Sequence, residues 1–223
     1  MAGINRRTFV GGAVGAIAAS QVQTARAAAS ETVTVAVLGC GRGSSLASWF
    51  SRLPDSQVAA ICDVDQNRAG ALCEKIQDLS GRRPESVTDF RTLLERKDID
   101  ALVVATPDHW HAIPTILGCL AGKDVYVEKP FSHNIWEGRK LVEAARKYKR
   151  VVQVGTQNRS APYNLAARDY IQSGKLGDIR LVKVFNLKGG GPFHLGVPGQ
   201  APVGFPWKTW LGPAKARPYH SKI

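Results

Sequence analysis

Glu128-Lys129-Pro130 and the run Thr106-Pro107-Asp108-His109-Trp110-His111 hold the densest chemistry in this 223-residue chain. Each follows a short apolar run of β-formers, Asp100 to Ala105 before one and Val125-Tyr126-Val127 before the other. A run apolar on both faces suits a strand buried in a parallel sheet. In open α/β sheets, ligands bind outside the carboxyl ends of the strands. Both polar clusters are therefore expected on one edge of one sheet.

A third run supplies what such an edge could bind. Thr32 to Leu38 reads as a buried strand that enters Gly39-Cys40-Gly41-Arg42-Gly43-Ser44, followed by a helix from about Ser45 to Arg52. A glycine turn between strand and helix lets backbone amides approach a pyrophosphate at the helix N-terminus. The usual third glycine position holds Ser44, a residue still small enough for close helix–strand packing. Asp63 ends a second strand, Gln57 to Cys62, and lies 24 residues after Gly39. That is near the spacing at which a carboxylate accepts hydrogen bonds from an adenosine ribose. A carboxylate there repels a 2′-phosphate, which favours NAD. Arg42 could pair with that phosphate or stack on adenine, which keeps NADP as the alternative. Asp63 could equally cap the helix expected over Asp65 to Leu79, as could Asp65 itself.

The elements that must position these residues follow in order. Asp89 to Arg96 reads as a short amphipathic helix, Ile113 to Gly122 has helical spacing, and Ile135 to Tyr148 is a further helix before a strand at Val151 to Val154. Repeated strand–helix units with right-handed crossovers describe an α/β fold, a Rossmann-type doubly wound parallel sheet. From Ser160 the pattern changes. Ser160 is expected to cap a helix through Ile171 that Gly174 ends, and Ile179 to Leu187 alternates as a strand. Gly189 to Pro206 is a Gly- and Pro-rich loop. The expected domains are a leader over 1–29, a dinucleotide-binding domain over 30–156, and the start of an α+β substrate and oligomerisation domain over 157–223.

The leader carries Asn5-Arg6-Arg7-Thr8-Phe9-Val10, a twin-arginine pattern, before a weakly hydrophobic Gly- and Ala-rich stretch too short to span a bilayer. Ala25-Arg26-Ala27 has the small-x-small form that a signal peptidase accepts, which places cleavage after Ala27, Ala28 or Ala29. Such signals address folded proteins to the twin-arginine export machinery, so a periplasmic or otherwise exported location is expected without stable membrane insertion. The formal charge of +12 is scattered rather than striped, and Trp110 has no interleaved aromatic and basic neighbours. A solvated surface is therefore expected, not a nucleic-acid partner. Cys40, Cys62, Cys73 and Cys119 lack paired metal spacing and read as buried free thiols. His109 and His111 sit at a loop-to-helix junction where their rings should diverge, so no metal is expected there.

Taken in order, Gly39-x-Gly41, Asp63, Thr106 to His111, Glu128-Lys129-Pro130 and Gly155-Thr156-Gln157-Asn158-Arg159 resemble the Gfo/Idh/MocA family of oxidoreductases, which includes glucose–fructose oxidoreductase and inositol dehydrogenase. The tail, Trp207 to Pro213 and Arg217-Pro218-Tyr219, is similar to exported members. The resemblance implies hydride transfer between NAD(P) and a sugar, cyclitol or related polyol. It also implies that Thr106, Pro107 and His111 line the nicotinamide side and that Glu128 and Lys129 face cofactor and substrate. Lys129 is the implied catalytic residue, because an ammonium beside the reacting hydroxyl stabilises a developing alkoxide. Arg159 is placed near the substrate. Some exported relatives are NAD-dependent glycosidases, which is the alternative, and a non-catalytic nucleotide- or sugar-binding module is a third reading. Family members continue into a large sheet that carries an Asp-x-x-x-His proton acceptor and forms homo-oligomers. No such motif follows Asp178 here, so the chain is expected to be the first half of an oxidoreductase, either a fragment of a longer product or a truncated relative, and inactive alone, with Trp207, Trp210 and Leu211 left without a packing partner.

Overall fold

The structure, a computed structural model, describes residues 32–185 and 196–222. The leader and the last two residues of the Ile179 to Leu187 run lie outside the described residues. Two compact units divide at Val154/Gly155.

In the first unit six strands alternate with helices: β1 (Val33–Leu38), α1 (Gly43–Phe50), β2 (Ser56–Cys62), α2 (Gln66–Ser80), β3 (Glu85–Val87), α3 (Arg91–Leu94), β4 (Ala101–Val104), α4 (Ala112–Leu120), β5 (Asp124–Glu128), α5 (Ile135–Lys147) and β6 (Val152–Gly155). The strand order is β3-β2-β1-β4-β5-β6. Strands β1 with β2 and β4, β2 with β3, and β4 with β5 all pair in parallel. The chain reverses its direction of travel across the sheet between β1 and β4, the switch point where doubly wound folds bind ligands.

The pleat explains the two layers of core. Side chains alternate along a strand, so Val35 and Val37 face α1 and α2 with Leu46, Ile61, Leu72 and Ile76, while Ala36 and Leu38 join Leu102, Val104, Val125 and Val127 on the other face. Local signals bound the helices. Asp65 caps α2, accepting from the Asn67 and Arg68 amides at 3.0 and 3.2 Å, and Gly81 ends it at φ 73°. Asn134 caps α5 by accepting from Glu137 N at 2.9 Å, and the Glu137 carboxylate reaches back to His133 N at 3.0 Å. Trp110 serves as packing: it sits edge-on to Phe90 with ring centroids 6.2 Å apart. Among the described residues no helix is long and apolar enough to cross a membrane.

Several expectations are corrected. Sequence reasoning passed over β3, a three-residue strand too short to show a period. α1 begins at Gly43, two residues earlier than expected. In the second unit α6 (Pro162–Gln172) forms, but Ser160 lies in a 3₁₀ turn (Gln157–Ser160) and does not cap it; Ala161 precedes a proline at the first helical position. Ile179 to Phe185 form no strand, because no partner among the described residues completes a ladder with them; Val184 is 88% exposed. Trp207, Trp210 and Leu211 do find partners within their own unit. In α7 (Trp207–Leu211) the two indoles stack at 4.9 Å, Trp207 meets Tyr219 edge-on at 5.3 Å, and its Nε1 donates to the Arg217 carbonyl at 2.9 Å. Leu211 is buried. Tyr219 belongs to β8 (Tyr219–His220), which pairs antiparallel with β7 (Pro198–Gly199).

All four cysteines are free and buried. Burial pushes the Cys62 thiol up to about 12 and the Cys119 thiol up to about 11, and it raises Cys40 and Cys73 as well. Few thiolates then exist near neutrality and none is accessible. Alkylation of the folded chain at pH 8 is expected to run at least about 10²-fold slower than in urea, where all four thiols should react, as read by intact mass over time.

Candidate active site

The three glycines of the first turn do different work. Gly39 has φ +92°, and a Cβ there would lie 2.5 Å from the Ala105 carbonyl oxygen, so the turn leaves β1 against the backbone that ends β4. Its own N–H donates to Cys62 O at 2.7 Å, while Ala105 N donates to Leu38 O at 2.8 Å. Gly43 brings α1 down onto Val37 and Ala105, where a Cβ would meet them at 3.0 and 3.4 Å. The close packing expected of Ser44 thus falls on Gly43. Gly41 has nothing within 4 Å of where a Cβ would be, so the turn is open at the start of α1.

Asp63 does not cap α2. Its two oxygens accept from Cys40 N at 2.7 Å and Asp65 N at 2.9 Å, which ties the end of β2 to the glycine turn. Glu128 ends β5 on the α1 side of the sheet, as the alternation of Val125, Tyr126 and Val127 requires. Nearly enclosed at 4% exposure, it takes Arg42 Nε at 3.3 Å, the Tyr126 hydroxyl at 3.4 Å and Lys129 N at 3.2 Å. Arg42 also lies over the Trp49 ring at 5.3 Å. Tyr126 escaped the sequence reading; its only signal was its position two residues before Glu128. Burial, with the Glu128 carboxylate beside it, pushes that phenol up, so it stays a donor.

His111 points into the protein. Its Nε2 lies 2.8 Å from the Thr106 carbonyl oxygen and its Nδ1 meets the Pro130 carbonyl. Both ring nitrogens thus face main-chain carbonyls. Thr106 keeps a buried Oγ1 without a hydrogen-bond partner among the described residues, and Pro107 is exposed. Lys129 is exposed beyond β5, and its peptide bond to Pro130 is cis. The first unit thus brings Gly39, Gly41, Arg42, Gly43, Asp63, Thr106, Pro107, His111, Glu128 and Lys129 to its carboxyl edge. Arg159 belongs to the second unit, exposed on its 3₁₀ turn.

An open glycine turn at a helix start and a carboxylate at the end of the next strand are groups of the kind that dinucleotide sites use. The family model for oxidoreductases of the Gfo/Idh/MocA type, with an NAD-binding Rossmann fold, matches residues 33–156. The chain belongs to that family, and its first unit is the NAD-binding domain. It is similar to an inositol 2-dehydrogenase from Rubrobacter xylanophilus, 34% identical over 66% of this chain and 42% of the relative. It is also similar to a glycosyl hydrolase family 109 protein from Saccharopolyspora erythraea, 33% identical over 55% of this chain and 28% of that protein. A 3-ketoreductase mutant from Actinomadura kijaniata, solved with TDP-benzene and NADP, superposes with a TM-score of 0.58 at 26% identity, over 67% of this chain and 45% of the other. The chain spans less than half the length of these proteins.

The glycines separate fold from ligand. Gly39→Ala should cost about 2 kcal/mol or more, from a positive φ and a backbone clash. Gly41→Ala should move stability by under about 1 kcal/mol. Urea unfolding of both variants, followed by circular dichroism, gives the comparison; equal destabilisation would contradict these assignments.

Proposed function

We propose that the protein containing this chain moves a hydride between NAD and a carbon of a sugar, cyclitol or related polyol. The observation that carries the reading is the meeting of an open glycine turn, a ribose-type carboxylate and an exposed lysine on one sheet edge. The amides of the Gly39 to Gly43 turn and the N-terminus of α1 hold the pyrophosphate, with the space at Gly41 admitting it. Asp63, already oriented by two backbone amides, accepts from the adenosine ribose and disfavours a 2′-phosphate. Arg42 supports the NADP alternative. The nicotinamide supplies or accepts the hydride. Thr106 and Pro107 form the wall beside it, and Glu128 holds the backbone from which Lys129 projects.

Lys129 meets the reacting oxygen. In oxidation the hydroxyl proton passes to the histidine of the family's Asp-x-x-x-His motif while the Lys129 ammonium stabilises the developing alkoxide. In reduction that histidine returns a proton to the oxygen as charge builds beside Lys129. In the complete enzyme, Lys129→Ala should lower kcat by about 10² or more while cofactor affinity holds. Equal turnover in wild type and variant would remove Lys129 from this role.

A second reading, an NAD-dependent glycosidase that oxidises, eliminates and rehydrates its substrate, is supported by the likeness to the family 109 protein. It consumes no external cofactor in net terms, whereas the dehydrogenase changes NADH absorbance with each turnover. The twin-arginine leader supports a further proposal, that the protein is folded around its cofactor before export. Replacing Arg6 and Arg7 with lysine should hold the precursor in the cytoplasm, as read by cell fractionation; unchanged export would end that proposal.

A further inference from the structure

We propose that His111 is a positioning residue, a clasp that ties the Lys129–Pro130 turn to the end of β4. The inference rests on the reading of Lys129 as the catalytic residue, but its geometry stands apart from any ligand. His111 is 1% exposed, in the company of the most enclosed side chains of the domain. Its ring spans two main-chain carbonyls that belong to different parts of the edge: Thr106 O, 2.8 Å from Nε2, and Pro130 O, against Nδ1.

The main chain of His111 is itself fixed. Its N–H donates to Asp108 O at 3.2 Å, and its carbonyl accepts from the fully buried Thr115 hydroxyl at 2.7 Å. A planar ring held at its root cannot follow a moving carbonyl, so it defines where Pro130 sits. Lys129 is then bracketed. Before it, Glu128 Oε2 accepts from Lys129 N at 3.2 Å; after it, the imidazole meets Pro130 O. One bracket leads through Arg42 to the glycine turn, the other to the Thr106 loop. Only a ring protonated on both nitrogens donates to both carbonyls at once; with a single N–H, the clasp needs that proton on Nδ1, facing Pro130 O.

Hydrogen–deuterium exchange on the full chain tests this, with His111→Ala and His111→Gln beside the wild type. In His111→Ala, protection of the amides from Lys129 to His133 should fall about tenfold, the scale of one lost buried hydrogen bond, while β1 and β2 keep theirs. In His111→Gln, whose amide can still donate to a carbonyl, part of that protection should return. Unchanged exchange over Lys129 to His133, or a loss spread evenly across the sheet, overturns the clasp. Should His111→Ala not fold, the wild type decides. An Nδ1–H with scalar coupling across the hydrogen bond to the Pro130 carbonyl carbon supports the clasp, and absence of that coupling overturns it. NADH titration of the wild type addresses the functional reading separately. A chain that fails to bind NADH yet shows the exchange pattern keeps the clasp and loses the dehydrogenase.

Discussion

At Gly39 the chain leaves β1 so close to the end of β4 that only a hydrogen fits on the α-carbon. The rest of the edge depends on that approach. The sheet's order reverses between these strands, and a wider turn would separate the Thr106 loop from the glycine turn that faces it. The ladder continues past the strands through Gly39 N to Cys62 O and Ala105 N to Leu38 O, so the turn is held by its neighbours on both sides. With the exit fixed, Gly43 can seat α1 on Val37 and Ala105, which leaves the helix N-terminus open at Gly41. A single steric constraint thus converts a strand end into a place where an anion can meet backbone amides.

The second dependence is electrostatic. A carboxylate as enclosed as Glu128 is costly unless it is paired and hydrogen-bonded. Its partners come from three places: Arg42 from the turn, Tyr126 from the same strand face, and the amide of Lys129. The Arg42 contact, at 3.3 Å with a half-exposed guanidinium, is not a strong stabiliser by itself. Its effect is geometric. The groups assigned to pyrophosphate and to hydride chemistry share one buried anion, and the Lys129 turn inherits its position from the same sheet that shapes the glycine turn.

How much of this could be read from the residues follows from how local each signal is. Apolar runs bounded by Gly, Pro and capping carboxylates revealed β1, β2, β4, β5 and the long helices, because buried parallel strands and capped helices write their pattern into consecutive residues. The clusters at Thr106 and Glu128 were legible for the same reason, since they end such runs. β3 was not, for three residues show no period. The roles within the site were less legible. Nothing in Thr106-Pro107-Asp108-His109-Trp110-His111 says that the last ring turns inward to meet a carbonyl nineteen positions later. Nor does the position of Asp63 say that its oxygens would hold two backbone amides while Asp65 capped the helix. Such partners are chosen by tertiary approach.

The second unit shows the limit of local pattern most clearly. α6 needs only its own residues, because a helix closes its hydrogen bonds within the segment, and it formed where the spacing placed it. Ile179 to Phe185 alternate as a strand should, with Arg180 and Lys183 between the apolar side chains, and form none. A strand's hydrogen bonds belong to its neighbour, so alternation states only what a segment would do beside a partner. The indole pair of Trp207 and Trp210 obeys the same logic from the other side. Their apolar surface packs on what lies within reach, here each other and Tyr219 of the short β7–β8 pair. Parallel strands, the glycine turn and the carboxylate anchors close their hydrogen bonds within the first unit, whereas the Ile179 to Phe185 segment has no ladder partner among the described residues.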